Sequence, residues 1–129
     1  MAELTDAQVE LMRSTSGFAA VATIKEDGTP QTSIVWVDTD GEHLVFNTKG
    51  GRAKGRHLQR DPRISVSVFD AESPYRYFEV EGTAELDAEG ADEHIEALSQ
   101  KYDGFGYGKG DRVIVRVTPQ RIFSYNVDD

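Results

Sequence analysis

Two Asp–Gly turns near the start of the chain do most to limit its fold. "FAAVATI" (Phe18 to Ile24) and "QTSIVWV" (Gln31 to Val37) are joined through Glu26-Asp27-Gly28-Thr29-Pro30. The second segment is joined to "HLVFNT" (His43 to Thr48) through Asp38-Thr39-Asp40-Gly41. Glycine tolerates the positive φ of a tight reversal, and an Asp side chain bonds the backbone just ahead of it. Both turns are flanked by β-branched and aromatic residues, so the spacing predicts two hairpins and an antiparallel meander.

The rest of the chain extends this pattern. Thr5-Asp6-Ala7-Gln8 has the form of a capping box, with Leu4 and Val9 spaced for a hydrophobic staple, and predicts a short helix to about Arg13. "GRAKGRHLQR" (Gly51 to Arg60) suits a second short helix that stops before Asp61-Pro62. "RISVSVF" (Arg63 to Phe69) alternates as a half-buried strand, and "YRYFEVEGTAEL" (Tyr75 to Leu86) is a long strand whose Gly82 marks a bulge or bend. Asp87 to Tyr102 is expected to be helical, with Ile95, Leu98 and Tyr102 on one side. Two last strands are expected at Arg112 to Val117 and Arg121 to Asn126, separated by a turn at Thr118-Pro119-Gln120. Many short antiparallel strands with three helices predict a mainly β protein, a closed or split barrel, over one domain spanning residues 1–129.

Composition excludes several classes. No cysteine is present, which removes disulfides and thiolate metal sites and fits a reducing compartment such as the cytoplasm. The N-terminus lacks the basic start and apolar stretch of a signal peptide, and no apolar run approaches membrane-spanning length. The net charge of -9 opposes general binding to nucleic acid.

Against that acidic background, "FNTKGGRAKGRHLQRDPR" (Phe46 to Arg63) stands out. Lys49, Arg52, Lys54, Arg56, Arg60 and Arg63 supply six of the chain's 14 Lys and Arg, beside a single acid, Asp61. Gly50 and Gly51 permit close backbone approach just before a helix, and cations at a helix start oppose its dipole unless an anion sits between. Arg56 and Arg60 are four apart, a repulsive pair on one helix face. The segment reads as an anion site; the alternative is a solvated face neutralised by acids from elsewhere in the fold. It is no P-loop, because no Gly-Lys-Ser/Thr follows the glycines.

Other motifs carry less. "DGFGYG" (Asp103 to Gly108) opens with an acid and lacks partner motifs for RNA or dinucleotide binding, so it reads as a loop and a candidate lid. His43, His57 and His94 have no metal-ligand spacing, and no G-x-S-x-G elbow or acid–base pair stands out. Asp38 and Asp40 belong to a turn rather than a calcium loop. Trp36 is a core or interface residue that can also flank a flat ring. Without an obvious nucleophile, a bound cofactor is the natural carrier of any chemistry.

"FAAVATIKEDGTPQTSIVWV", "FNTKGGRAKGRHLQRDPRISVSV" and "YFEVEGTAEL" together resemble the pyridoxamine 5′-phosphate oxidase-like superfamily of split β-barrel, flavin- or deazaflavin-binding proteins, from about Leu4 to Asn126. The resemblance implies that Thr48, Lys49, Arg52 and Lys54 bind the cofactor phosphate. It implies that Gln31, Thr32, Ser33, Ile34 and Val35 line its ring, and that a homodimer completes each site. FMN-using pyridoxamine phosphate oxidases carry a basic residue in the strand matching Gln31 to Val37 and end in an Arg-Leu-type segment. Here that strand has neither Lys nor Arg, and the chain ends "RIFSYNVDD". The pattern looks more like the subgroup using coenzyme F420, whose acidic oligoglutamyl tail would also engage Arg56 and Arg60. The expected function is F420-dependent hydride transfer to an electron-poor small molecule such as an enone, quinone or tetrapyrrole. The alternatives are an FMN-binding oxidase or reductase, or a cofactor carrier without turnover.

Overall fold

The computed structural model describes residues 2–127; Met1, Asp128 and Asp129, which the expected domain includes, lie outside the described residues. The elements run α1 (Asp6–Arg13), β1 (Gly17–Ile24), β2 (Pro30–Trp36), β3 (Asp38–Thr39), β4 (Leu44–Lys49), α2 (Ala53–Arg60), β5 (Arg63–Asp70), β6 (Ser73–Asp87), α3 (Ala91–Lys101) and β7 (Arg112–Tyr125). All strands join one antiparallel sheet in the order β2-β1-β5-β6-β7-β4-β3. β2 and β3 occupy opposite edges of this sheet, yet Val37 alone separates them in the chain. One residue can bridge opposite edges only if the sheet curls back on itself, so the architecture is a barrel left unpaired between β2 and β4, a split β-barrel.

Three expectations need correction. The first hairpin holds, with Ile24 opposite Pro30 and Gly28 at φ 87°. The second does not pair Gln31–Val37 with His43–Thr48: β4 pairs with β3 and β7, with Leu44 and Phe46 facing the barrel core and Val45 and Asn47 covered by α3. The Asp40 side chain, accepting from Glu42 N and His43 N, forms only the small β3–β4 turn. The two expected last strands are one, and Thr118-Pro119-Gln120 is a bulge within it. Glu81 pairs with Arg121 and Gly82 with Pro119, which leaves Gln120 extra. Gly82 marks the bend as expected, since a Cβ there would stand 2.3 Å from Thr118 O. Finally, the third helix begins at Ala91, not Asp87, because β6 runs on to Asp87 and Gly90 turns through the left-handed region at φ 75°.

The helices seal the barrel. The Thr5–Gln8 capping box is formed in both directions, and it starts α1 so that Leu11 and Met12 enter the core. Those side chains meet Val21, Phe46, Val66, Phe78, Val80 and Val115, while Leu58 enters the same cluster from α2. α1 lies at the Gly17 end of β1, and α2 at the Thr23 end, where Thr23 Oγ1 and His57 Nδ1 are 2.9 Å apart. α3 packs outside the barrel: Ala91 joins Val45 and Ile114, whereas Ile95, Leu98 and Tyr102 gather Phe18, Trp36 and Tyr107. No helix among the described residues is long and apolar enough to cross a membrane.

Candidate functional site

The end of β4, the start of α2 and the loop before β7 converge on one cleft of ≈ 410 Å³. Its apolar wall is Phe18, Ile34, Val35, Trp36, Ile95 and Leu98; its polar wall includes Asn47, Thr48, Arg52, Lys54 and Arg112. Gly106, Tyr107 and Gly108 of the loop close one side.

The cations here are unusual for having no acid. Among the described residues, Lys49, Arg52, Lys54, Arg56 and Arg112 form no ion pair with a carboxylate. Lys54 is half-buried, and its pKa is lowered by burial and then by neighbouring Arg52. Arg112 is lowered for the same two reasons, with Tyr107 and Asp92 opposing. The antiparallel register also sets Lys49 directly opposite Arg112, a like-charge pairing that a sheet disfavours. Arg52 is the N-cap of α2 and gives the helix no side-chain cap, so cations cluster where its dipole is already positive. Each of these arrangements costs free energy in the free protein and is relieved by an anion.

The loop is fastened over this cluster. Lys49 Nζ donates to Lys109 O at 2.9 Å, and Arg112 Nε donates to Gly108 O at 2.9 Å. Arg112 Nη1 reaches Asn47 Oδ1 at 3.4 Å and its guanidinium lies 5.7 Å from the Tyr107 ring centre. A Cβ on Gly108 would come within 3.2 Å of Lys49 Nζ, a measure of how closely the loop lies against the lysine. Tyr107 donates its hydroxyl proton to Glu96, which lowers the carboxylate pKa and raises that of the phenol.

The structure brings together part of the expected set. Ile34, Val35, Thr48, Arg52 and Lys54 line the cleft. Lys49 stands beside it but turns its ammonium to the loop. Gln31, Thr32 and Ser33 lie farther along β2, and Ser33 Oγ is a buried side-chain oxygen without a hydrogen-bond partner among the described residues. Arg56 is exposed on α2, and Arg60 donates to Ile24 O, away from the cleft. The amides of Gly50 and Gly51, expected to face an anion, are taken by Asp111: its backbone oxygen accepts from Gly50 at 2.8 Å and its carboxylate from Gly51 at 2.8 Å. The β4–β7 pairing delivers Asp111 to that position. Sequence reasoning missed Asn47, Tyr107 and Arg112. The signal for Arg112 was a cation directly after a glycine-rich loop, which carries weight only once β7 is known to pair with β4.

Three cations without a carboxylate partner among the described residues, beside an apolar wall, fit a flat ring system bearing phosphate. Comparison with known proteins agrees with that chemistry. A family profile for pyridoxamine 5′-phosphate oxidase matches residues 4–126. A solved structure named an F420 reductase is 31% identical with a TM-score of 0.80, covering 93% of this chain and 98% of its own. A conserved hypothetical protein from Mycobacterium tuberculosis is 28% identical with a TM-score of 0.75, covering 95% of this chain and 84% of its own. HupZ of Group A Streptococcus shares the fold at 22% identity, with a TM-score of 0.72 and coverage of 94% and 93%. The split barrel, the cleft beside α2 and these similarities place the chain in the pyridoxamine 5′-phosphate oxidase-like family, among oxidoreductases of flavin or deazaflavin type.

Proposed function

We propose that this protein is an oxidoreductase that binds coenzyme F420 in the cleft beside α2 and reduces an electron-poor small molecule. The observation that carries the reading is the cluster of Arg52, Lys54 and Arg112, cations without carboxylate partners at the mouth of an apolar cleft. Arg52, Lys54 and Arg112 hold the phosphate, with Thr48 beside them and Lys49 tying the loop above. Ile34, Val35 and Trp36 flank the ring, with Ser33, Thr32 and Gln31 following along the same strand. Exposed Arg56 meets the acidic tail, with Arg60 one turn on. The absence of Lys or Arg from β2 and the likeness to an F420 reductase favour the deazaflavin over FMN.

When bound and reduced, the deazaflavin supplies a hydride to the acceptor. The protein's part is to hold the ring, exclude water and place the acceptor beside it. Neither phenol near the cleft is free to give a proton. Tyr107 donates to Glu96, and Tyr102 donates to Gly17 O while burial pushes its pKa up to about 12.

A second copy of the chain completes the site in this proposal. The outer sheet face carries the row Ile34, Ala20, Ser67, Glu79, Phe123 across four pairings. Ile34 and Phe123 are 62% and 58% exposed, apolar area that a partner would cover, and Ile34 also lines the cleft.

The test is a parallel titration with F420 and FMN, followed by loss of reduced-cofactor absorbance with enone, quinone and tetrapyrrole acceptors. Micromolar F420 binding, tighter than FMN, is the expected result. Tight FMN binding with no F420 binding at micromolar levels overturns the deazaflavin in favour of a flavin enzyme. Sedimentation reads the dimer, and a monomer at working concentration removes that part of the proposal.

A further inference from the structure

Next to the cationic cleft lies a second pocket of ≈ 310 Å³ that shares Phe18 and Trp36 with it. Its remaining walls are Thr15, Tyr102, Asp103 and Phe105. The floor is rigid and aromatic. Trp36 stacks on Tyr102 with ring centres 5.4 Å apart and planes at 10°, and Phe18 leans on Tyr102 at 5.0 Å. Tyr102 is held from behind, donating its hydroxyl to Gly17 O and accepting from Val37 N at 3.2 Å. Phe105 is different. It meets Trp36 only edge-on at 6.4 Å, and its ring is 72% exposed although Ser99 Oγ pins its carbonyl at 2.7 Å. A phenylalanine held in water at the rim of an aromatic slot loses free energy that a planar guest would restore.

The charge of this pocket is opposite to its neighbour's. Asp103 is its one charged lining residue. Lys101 lies close by, but its ammonium is spent on Met12 O and on Val37 O at 2.6 Å. The cleft beyond Trp36 holds Arg52, Lys54 and Arg112. An anionic ligand is therefore drawn to one side of the Trp36 wall and turned away from the other.

We propose that the aromatic pocket is the acceptor's chamber, and that it takes a planar, uncharged ring system of one or two fused rings while rejecting anionic analogues. The assignment as acceptor chamber rests on the cofactor reading of the adjoining cleft; the ring selectivity does not.

Trp36 is the chain's single tryptophan and borders both cavities, so its fluorescence reports binding without turnover while the Phe105 and Asp103 variants assign the signal to this pocket, and the absence of cysteine removes thiol arylation by quinones. Quenching of Trp36 by 1,4-naphthoquinone is compared with quenching by 1,4-naphthoquinone-2-sulfonate, which carries the same rings and a negative charge. The neutral quinone should quench saturably; the sulfonate, which the cationic cleft can also hold against Trp36, should show Phe105-dependent quenching weaker by about tenfold through repulsion from Asp103. Phe105→Ala, at an exposed ring, should weaken the neutral quinone by about fivefold. Asp103→Asn should bring the sulfonate to within about threefold of the neutral quinone. Asp103 sits at φ 64°, a conformation that Asn adopts readily, so the loop keeps its path. Linear quenching equal to that of free N-acetyltryptophanamide, an unchanged affinity in Phe105→Ala, or equal Phe105-dependent binding of both quinones overturns the proposal.

F420 is titrated separately by its own absorbance. Saturable, Phe105-dependent quinone binding without F420 binding upholds the ring site and overturns the cofactor reading. F420 binding without it does the reverse.

Discussion

The two ends of α2 carry the same kind of side chain and meet opposite fates. At the C-terminal end every cation is engaged by the fold. Arg60 donates to Ile24 O, and Arg63 grips Asp61 through Nη2 at 2.7 Å and Nε at 3.1 Å, which with the Arg63 amide drives the Asp61 pKa down to about 2. At the N-terminal end Arg52 and Lys54 have no such partner, and Arg112 arrives from β7 to add a third positive charge. A run of cations in a sequence therefore says little by itself. Whether the fold supplies an acceptor separates Arg60 and Arg63 from Arg52 and Lys54, while Arg112 is bonded to Gly108 O and Asn47 Oδ1 but to no carboxylate.

That contrast can be broken at several points. The largest effect is expected at Gly55, where a Cβ would lie 2.6 Å from both Lys49 O and Gly50 O. Gly55→Ala should cost about 3 kcal/mol of stability by forcing the helix start off β4, and cofactor affinity should go with it. Chemical denaturation gives the first quantity; wild-type stability in this variant would show that the N-terminal end is not held as described. Next come Arg52→Ala and Lys54→Ala. Each should weaken cofactor binding about tenfold or more, as loss of a charge-assisted bond does, while leaving the melting temperature unchanged or raised. Arg63→Ala should leave affinity untouched, and equal losses at Arg52 and Arg63 would erase the distinction between the two ends.

Arg56→Ala tests the exposed middle of the helix. It should weaken F420 by about threefold and leave FMN unaltered, because a solvent-screened contact to a tail is worth little. An equal loss for both cofactors would move Arg56 to the phosphate.

The smallest effect concerns His57, buried between the two ends against Thr23. Burial lowers its pKa, and Arg60, Arg56 and Lys25 lower it further. The unfolded chain, with a value near 6.5, then takes up the proton more readily than the folded one. Stability is complete above that value and falls as pH drops through it towards the folded pKa. His94, also lowered by burial, adds to the same slope. Denaturation midpoints at pH 7.5 and 5.5 should differ, and by less in His57→Gln; an unchanged difference would assign the slope to His94.

How much of this was legible depends on the range of the interaction. The Thr5–Gln8 capping box and the Asp27-Gly28 hairpin are settled within a few residues, so sequence reading found them. The alternation of Arg63–Phe69 likewise reports a local fact, which face is wet. β4 shows where such reading stops. Its buried run Leu44–Thr48 follows from the core on one face and α3 on the other, and its sheet neighbour β7 is more than sixty residues away. The site inherits that limit: Thr48, Arg52 and Lys54 were found because they are contiguous, while Arg112 and Asn47 join them only through the β4–β7 pairing. Gly50 and Gly51 were misread for the same reason, since the acceptor of their amides comes from Asp111.

The place of β7 in the sheet has a consequence for synthesis. It is the last strand in the chain, yet it lies between β6 and β4. Until residues 112–125 have left the ribosome, the β2-β1-β5-β6 ribbon can assemble, but β4 and β3 have nothing to attach to and Leu44, Val45 and Phe46 remain exposed. Barrel closure is thus deferred until β7 has been made, and non-local strand pairing of this kind is slow and prone to aggregate. The acidic surface, with its net charge of -9, repels neighbouring nascent chains throughout that wait.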